Sequence, residues 1–189
     1  MMKRLKWMIA SLICLPINTL AQGYTEATNY WIDKYQSVSY PLKSIHISSP
    51  YGIRADPFTG EKRNHQGIDL VATYEEIYAM FDGFIKTVGY DPIAGYYITL
   101  QVGNYTLSYC HLSEIWVKEQ ETVYAGDALG KTGTTGRATG PHLHLTCRLQ
   151  GKIENPYLLL TFVRDTQQKA VEALGLHKNE KVRPDEFLK

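Results

Sequence analysis

The sequence has few cysteines, little net charge and a single long apolar run. Its 189 residues contain three cysteines and carry a formal net charge of +1 at pH 7. Balanced charge provides no general attraction to a polyanion, so the composition does not indicate a nucleic-acid partner. After the N-terminus, no stretch is apolar enough to cross a bilayer, and no internal repeat is visible. The length therefore predicts one domain with a sizeable hydrophobic core.

The apolar run at the N-terminus has the features of a secretory signal. Met1–Lys6 is basic, Trp7–Ile17 is apolar, and Thr19–Ala21 offers small residues at the cleavage position. We expect residues 1–21 to be removed, so that the mature protein starts near Gln22. It would then act outside the cytoplasm, either secreted or in the periplasm, with no membrane span left.

The cysteines are interpreted in the light of that cleavage. Cys14 would leave with the signal, and the residue before it is not small, which argues against a lipoprotein anchor. Cys110 and Cys147 would remain in a compartment that permits disulfides. On strands, both side chains would face away from the nearby His111 and His144. A disulfide and two separate thiols both stay open.

Many short strands separated by turn signals predict an antiparallel all-β domain. Residues 22–47 are interpreted as an N-terminal extension with a short helix at Thr28–Gln36, and residues 157–189 as a C-terminal helix (Leu158–Leu174) followed by a charged tail. The predicted strands are Gly67–Val71, Ile77–Met80, Gly83–Val88, Tyr96–Val102, Tyr105–His111, Thr122–Ala128 and His142–Leu149, the fourth and fifth joined by a hairpin turn at Gly103-Asn104. Leu129–Gly140 is predicted to be a glycine-rich loop that shapes one wall of a groove.

The chemistry centres on two histidines that stand one residue apart. In a strand, His142 and His144 point to the same face, which makes a poor core and a good metal or proton-transfer site. A hydrolytic zinc site needs three protein ligands, and His65 and Asp69 offer the missing types. A lone loop histidine such as His65 is usually a surface residue. A carboxylate inside an apolar strand, however, needs a partner.

Two other histidines have no comparable setting. His46 alternates with isoleucines and is interpreted as an outward strand residue, and His177 lies in the charged tail. Neither is given a role. His111, by contrast, ends a predicted strand, where site residues tend to lie.

Three motifs in order closely resemble the lysostaphin-type (LytM-domain) zinc metallopeptidases, which are peptidoglycan endopeptidases. They are His65-Gln-Gly-Ile-Asp69, Tyr109-Cys-His-Leu-Ser113 and Thr139-Gly-Pro-His-Leu-His144, and the likeness runs from about residue 48 to 156. The resemblance implies that His65, Asp69 and His144 bind Zn²⁺, and that His111 and His142 are catalytic. It also implies an open antiparallel β-sandwich with a duplicated hybrid motif and a groove along the sheet.

The same resemblance implies a substrate class. Peptide crosslinks of bacterial peptidoglycan would bind in the groove, and the sequence style of residues 54–60 favours the D-alanine–diaminopimelate crosslink. Residues 52–64 contain no tyrosine, so the role that an upstream tyrosine plays in some relatives cannot be transferred. Two alternatives stay open: a regulator that activates other wall hydrolases, and a peptidase with another peptide substrate. An envelope protein could localise the chain, and its oligomeric state stays undetermined.

Overall fold

The structure is a computed structural model that describes residues 19–176, with the backbone alone for residues 19–24. The predicted signal up to residue 18 and the charged tail from His177 onwards lie outside the described residues. Within the described range, neither helix is long and apolar enough to cross a membrane.

The described chain contains two helices that contact each other and twelve strands. The helices are α1 (Thr19–Gln36) and α2 (Tyr157–Ala173). The strands are β1 (Ile47–Ser49), β2 (Gly52–Ala55), β3 (Lys62–His65), β4 (Gly67–Val71), β5 (Glu76–Tyr78), β6 (Gly83–Asp91), β7 (Gly95–Val102), β8 (Tyr105–Ile115), β9 (Thr122–Val123), β10 (Ala128–Thr132), β11 (His142–Leu149) and β12 (Lys152–Glu154).

Ten of the strands form one open antiparallel sheet, and β2 and β3 form a separate hairpin. The sheet runs in the order β1-β4-β11-β8-β7-β6-β9, with β10 joining β8 to β5 and β12 paired to β11. The antiparallel all-β core and the short C-terminal helix are thereby confirmed. The second half of β8 leaves β11 and pairs with β10, so that this strand belongs to two parts of the sheet.

Several predicted elements have the observed bounds. The strands Gly67–Val71 and His142–Leu149 are observed as predicted, and the Gly103-Asn104 turn joins β7 to β8 with Val102 opposite Tyr105. The predicted helix at Thr28–Gln36 is the end of a longer helix that begins at Thr19. That helix crosses the predicted cleavage position.

Two predicted loops are wrong. The glycine-rich stretch from Leu129 contains part of β10, because the missing Cβ of Gly130 lets the backbone of Glu114 on β8 approach closely. Residues 52–65 contain the β2–β3 hairpin, so His65, interpreted above as a loop histidine, is the last residue of a strand. Glycine and charge in these stretches mask strands that tertiary contacts stabilise.

The core determines which face of β11 the histidines occupy. Leu143 and Leu145 are both fully buried on one face, whereas His142 and His144 are only half-buried and point to the other. Leu70 of β4 lies in the same core. A slip of one residue would bring both histidines into this apolar layer, so burial of the leucines specifies the register.

This packing predicts the effect of a cavity behind the strand. Leu145→Ala should lower the free energy of unfolding by about 2–5 kcal/mol, because a fully buried leucine loses transfer energy and leaves a cavity. Leu158→Ala is the matched control, since Leu158 is 59% exposed on α2 and its truncation should change stability by about 0.5 kcal/mol or less. Chemical denaturation of both variants measures the difference, and equal losses would contradict this description of the core.

Candidate metal centre

The five side chains predicted to form the site all line one open groove with a volume of about 610 Å³. His65 ends β3, Asp69 lies in the middle of β4, and His142 and His144 share one face of β11. The fifth, His111, comes from β8. Four strands, two of them consecutive and two far along the chain, therefore contribute to one site.

Three of these residues present donor atoms to a common point. Asp69 Oδ1 lies 2.7 Å from His144 Nδ1 and 3.2 Å from His65 Nε2, and the two histidine nitrogens are 3.1 Å apart. Ligand atoms of a tetrahedral zinc at about 2.0 Å stand about 3.3 Å from one another. The trio is therefore close to the spacing that a divalent cation requires, and two imidazoles with one carboxylate are a zinc-type donor set.

Outer hydrogen bonds orient this trio. His65 Nδ1 lies 2.8 Å from the Pro50 carbonyl oxygen, which assigns the proton to Nδ1 and leaves Nε2 free. Arg54 Nη2 lies 3.4 Å from Asp69 Oδ2, so the two carboxylate oxygens face different partners. Burial acts to raise the pKa of Asp69, but its close contacts with the His144 and His65 rings outweigh burial and hold that pKa well below its usual range.

Gly67 creates the space in which the His144 ring lies. A Cβ built at Gly67 would stand 2.7 Å from His144 Cε1 and 2.9 Å from Nε2. Such contacts are shorter than any ordinary packing distance, so only glycine fits here. The ring is consequently fixed with Nδ1 towards Asp69.

A β-bulge brings His111 into the groove. Between the pairs Ile98↔Tyr109 and Tyr96↔Leu112, β8 has two residues where β7 has one. His111 takes the extra position with φ of 63°, in the left-handed region that non-glycine residues rarely adopt. The bulge breaks the alternation of faces, so His111 lines the groove instead of facing away.

The backbone around the groove fixes the His111 ring. Its Nδ1 lies 2.8 Å from the Thr135 carbonyl oxygen, which leaves Nε2 without that proton, and its backbone N–H donates to the Ala94 carbonyl at 2.7 Å. Burial lowers the pKa of His111 to about 4. The imidazole is therefore neutral at pH 7 and able to accept a proton at Nε2.

His142 completes the group beside the candidate metal ligands. Its Nδ1 lies 2.8 Å from the Gly140 carbonyl oxygen, and its Nε2 is 3.6 Å from Asp69 Oδ1. The His142 and His111 ring centroids are 4.7 Å apart. Within the described residues, the cluster whose donor atoms are close enough to hold a metal consists of His65, Asp69 and His144, without these two rings.

An ion pair joins the two sides of the groove. Arg137, in the loop before β11, donates from Nη2 to Asp56 Oδ1 at 2.8 Å and lies over the Phe58 ring with 4.4 Å to its centroid. The Arg137 backbone N–H also donates to the Ile93 carbonyl at 2.9 Å. The loop that carries the Thr135 carbonyl is thus tied to both the β2–β3 and the β6–β7 hairpins.

Both described cysteines are free thiols, so the alternative of two separate thiols holds in this structure. Cys147 lies on the core face of β11 as expected. Cys110 lies opposite His144 and lines the groove together with His111, which corrects the expectation that it faces away from that histidine. The cause is the bulge, which turns His111 onto the face of the strand that Cys110 occupies. Burial raises the pKa of Cys110 to about 12.

Comparison with known proteins identifies the family. Residues 63–156 match the family described as Peptidase family M23. The chain belongs to peptidase family M23. The chain is 37% identical over 119 residues to the peptidoglycan DD-endopeptidase ShyC of Vibrio cholerae, a match that covers 61% of this chain and 28% of the relative.

Solved structures agree with this assignment. A zinc-containing peptidase from Vibrio cholerae superposes with a TM-score of 0.58 at 31% identity, over 64% of this chain and 39% of that one. Lysostaphin from Staphylococcus simulans has a TM-score of 0.58 at 23% identity, over 79% and 59% of the two chains, and shows the shared fold. The chain spans between 26% and 42% of the length of the first curated relatives that it matches.

Sequence reasoning missed the residues that support the M23 site. From the sequence, Gly67 is given no role beyond the start of a strand, although its position two residues before Asp69 is the available signal. Arg54 and Arg137 lie in turn-rich stretches where nothing local marks them. His46 is exposed and outside the groove, as expected of a residue without a role.

The packing around Gly67 predicts a loss of metal affinity on substitution. Gly67→Ala should displace the His144 ring and weaken zinc binding about 10–100-fold, the range typical of changes that disturb ligand orientation. Titration against a competing chelator measures it. Gly140→Ala is the control, because a Cβ there meets nothing within 4 Å and should leave the affinity unchanged. Equal zinc affinities in the two variants would contradict the proposed role of Gly67 in making room for the His144 ring.

Proposed function

We propose that this protein is a zinc-dependent endopeptidase that hydrolyses peptide crosslinks of bacterial cell-wall peptidoglycan. The observation that carries the proposal is the convergence of His65, Asp69 and His144 beside two further histidines, all in one open groove. A groove, rather than a closed pocket, suits a peptide that belongs to a polymer.

The named relatives support the substrate class. ShyC and ShyA of Vibrio cholerae are named peptidoglycan DD-endopeptidases, and Mpg of Neisseria meningitidis is named a DD-carboxypeptidase/endopeptidase. We propose the D-alanine–diaminopimelate crosslink as the bond that is cut. Action in the cell envelope follows from this substrate and agrees with the secretory signal expected at residues 1–21.

In this proposal His65 Nε2, Asp69 Oδ1 and His144 Nδ1 hold the zinc ion. When bound, zinc supplies a Lewis acid that polarises a peptide carbonyl and makes water more acidic. Arg54 keeps Asp69 in place through its second oxygen, and the Pro50 carbonyl keeps His65 in the ligating tautomer. These outer contacts hold the donors in position before the metal arrives.

The two remaining histidines handle protons. His111 is neutral, and its Nε2 has a free lone pair, so we assign it as the acceptor of the proton from the attacking water. His142, whose Nδ1–H is held by the Gly140 carbonyl, presents Nε2 to the groove. In its protonated form it donates to the carbonyl oxygen as negative charge develops there.

The alternative of a regulator without its own activity gains no support. Such a protein has no need to retain three ligand side chains and two buried or half-buried histidines around one point. Keeping Asp69 charged at its low exposure carries a desolvation cost, which a bound metal ion would help to offset.

Two alanine variants separate the proposed roles. His144→Ala should lose zinc and hydrolysis together, because a ligand is removed. His142→Ala should retain zinc and lose hydrolysis about 10²–10⁴-fold, which is the usual contribution of a positioned acid or base. Metal analysis and mass spectrometry of muropeptides released from purified sacculi measure both properties. Zinc loss in the His142 variant would overturn this division of roles.

The Arg137–Asp56 ion pair across the groove leads to a separate prediction for zinc content and hydrolysis. Arg137→Ala should retain zinc but slow hydrolysis about tenfold or more, because the loop that presents the Thr135 carbonyl to His111 loses its anchor. We expect the loss in kcat rather than in metal content, with partial recovery in Arg137→Lys. Arg164→Ala on α2 removes the same charge outside the groove and should have no effect. Zinc loss in the Arg137 variant would contradict a role confined to positioning.

A further inference from the structure

The charged residues of the groove have an unusual composition. The described residues contain five arginines, and four of them line the groove, whereas none of their eight lysines does. Arginine differs from lysine in presenting a planar fork of donors that matches a carboxylate in two places. The segregation of the two cations therefore indicates recognition of carboxylates rather than a general positive surface.

Three of the four groove arginines are already paired within the protein. Arg54 faces Asp69 at 3.4 Å, and Asp56 accepts from Arg63 at 3.4 Å and from Arg137 at 2.8 Å. Arg148 differs. Among the described residues its guanidinium has no carboxylate partner, and it donates only to the Gly151 carbonyl at 3.2 Å.

Arg148 shares its strand face with the proposed metal ligand. His144, Thr146 and Arg148 alternate along β11 with buried residues, and all three line the groove. Four residues of strand advance about 13 Å. Thr146 and its cross-strand neighbour Ser108 place hydroxyl groups on the floor between the metal site and the guanidinium.

We propose that Arg148 is a subsite that binds a carboxylate of the substrate, and that the groove selects anionic peptides. The carboxylate lies about three to four residue lengths from the scissile bond, since an extended peptide advances about 3.3 Å per residue. This inference rests on the proposed function for the identity of the peptide, because stem peptides of peptidoglycan carry free carboxylates. The hydroxyl floor supplies hydrogen bonds for the intervening backbone.

Binding of a defined peptide pair tests the subsite. The probes are a crosslinked stem-peptide dimer with free carboxylates and the same dimer with its carboxylates converted to primary amides. Calorimetric titrations use the zinc-loaded full chain with His142→Ala to prevent turnover, with and without Arg148→Ala. We expect amidation and Arg148→Ala each to weaken binding about tenfold, the usual scale for a hydrogen bond to a charged group.

Combining the amidated dimer with Arg148→Ala tests whether the guanidinium and the carboxylate contact each other. If Arg148 contacts a carboxylate, applying both changes should weaken binding no more than one alone, because the same interaction is lost. Arg148→Lys should keep part of the affinity that Arg148→Ala loses. Arg164→Ala, which removes one charge on α2, should leave the affinity unchanged. Independent multiplicative losses, an Arg148→Ala variant with unchanged affinity, or no measurable binding of the acidic dimer would each overturn the subsite.

A parallel cleavage assay keeps this inference separate from the proposed function. It uses the chain with His142 intact and follows release of the two halves of the dimer. Arg148-dependent binding without any cleavage would contradict the endopeptidase and leave the carboxylate subsite standing. Cleavage that is equal for acidic and amidated dimers, and indifferent to Arg148→Ala, would overturn the subsite and leave the endopeptidase standing.

Discussion

The site depends on one cross-strand pair. Asp69 of β4 and His144 of β11 are direct partners in the antiparallel ladder, so backbone hydrogen bonds determine how close the carboxylate and the imidazole come. Side chains of directly opposed residues stand about 4.5–5.5 Å apart at Cβ, which suits two ligands of one ion. The register that aligns them is specified on the opposite face, where Leu143 and Leu145 are fully buried. The same strand register therefore determines both the packing of the core and the geometry of the candidate metal site.

His111 depends on the opposite principle, a local departure from regular structure. Regular alternation would turn it away from the groove, and the bulge with its positive φ turns it back. A non-glycine residue in this region costs of order 1–3 kcal/mol and persists only where its surroundings determine it. Hydrogen bonds to the Ala94 and Thr135 carbonyls provide those surroundings. The same contacts orient the ring, so the strained backbone and the orientation of the proposed catalytic imidazole have a common origin.

This contrast explains how far the sequence alone could lead. Regular alternation made the shared face of His142 and His144 predictable, as well as the bounds of β4 and β11. The convergence of His65 and Asp69 on that face followed from a resemblance, since no rule of spacing brings β3 beside β11. The bulge at His111 was not predictable, because it arises from the register between β7 and β8. Gly130 concealed β10 for a related reason. The glycine is needed because another strand approaches it closely, and this contact leaves no pattern in the local sequence.

The groove is also built to keep its shape in the absence of a peptide. Gly95 and Gly136 lie so close that a Cβ on either would meet the backbone of the other loop. The Arg137–Asp56 pair and its contact with Phe58 add an attachment on the far side. Walls fixed in this way impose most of the ordering cost of binding on the substrate. The proposed substrate, a peptide held in the crosslinked wall, would already have lost much of its freedom, so it would suit a rigid groove. The exposed guanidinium of Arg148 is left as the adaptable part of the surface.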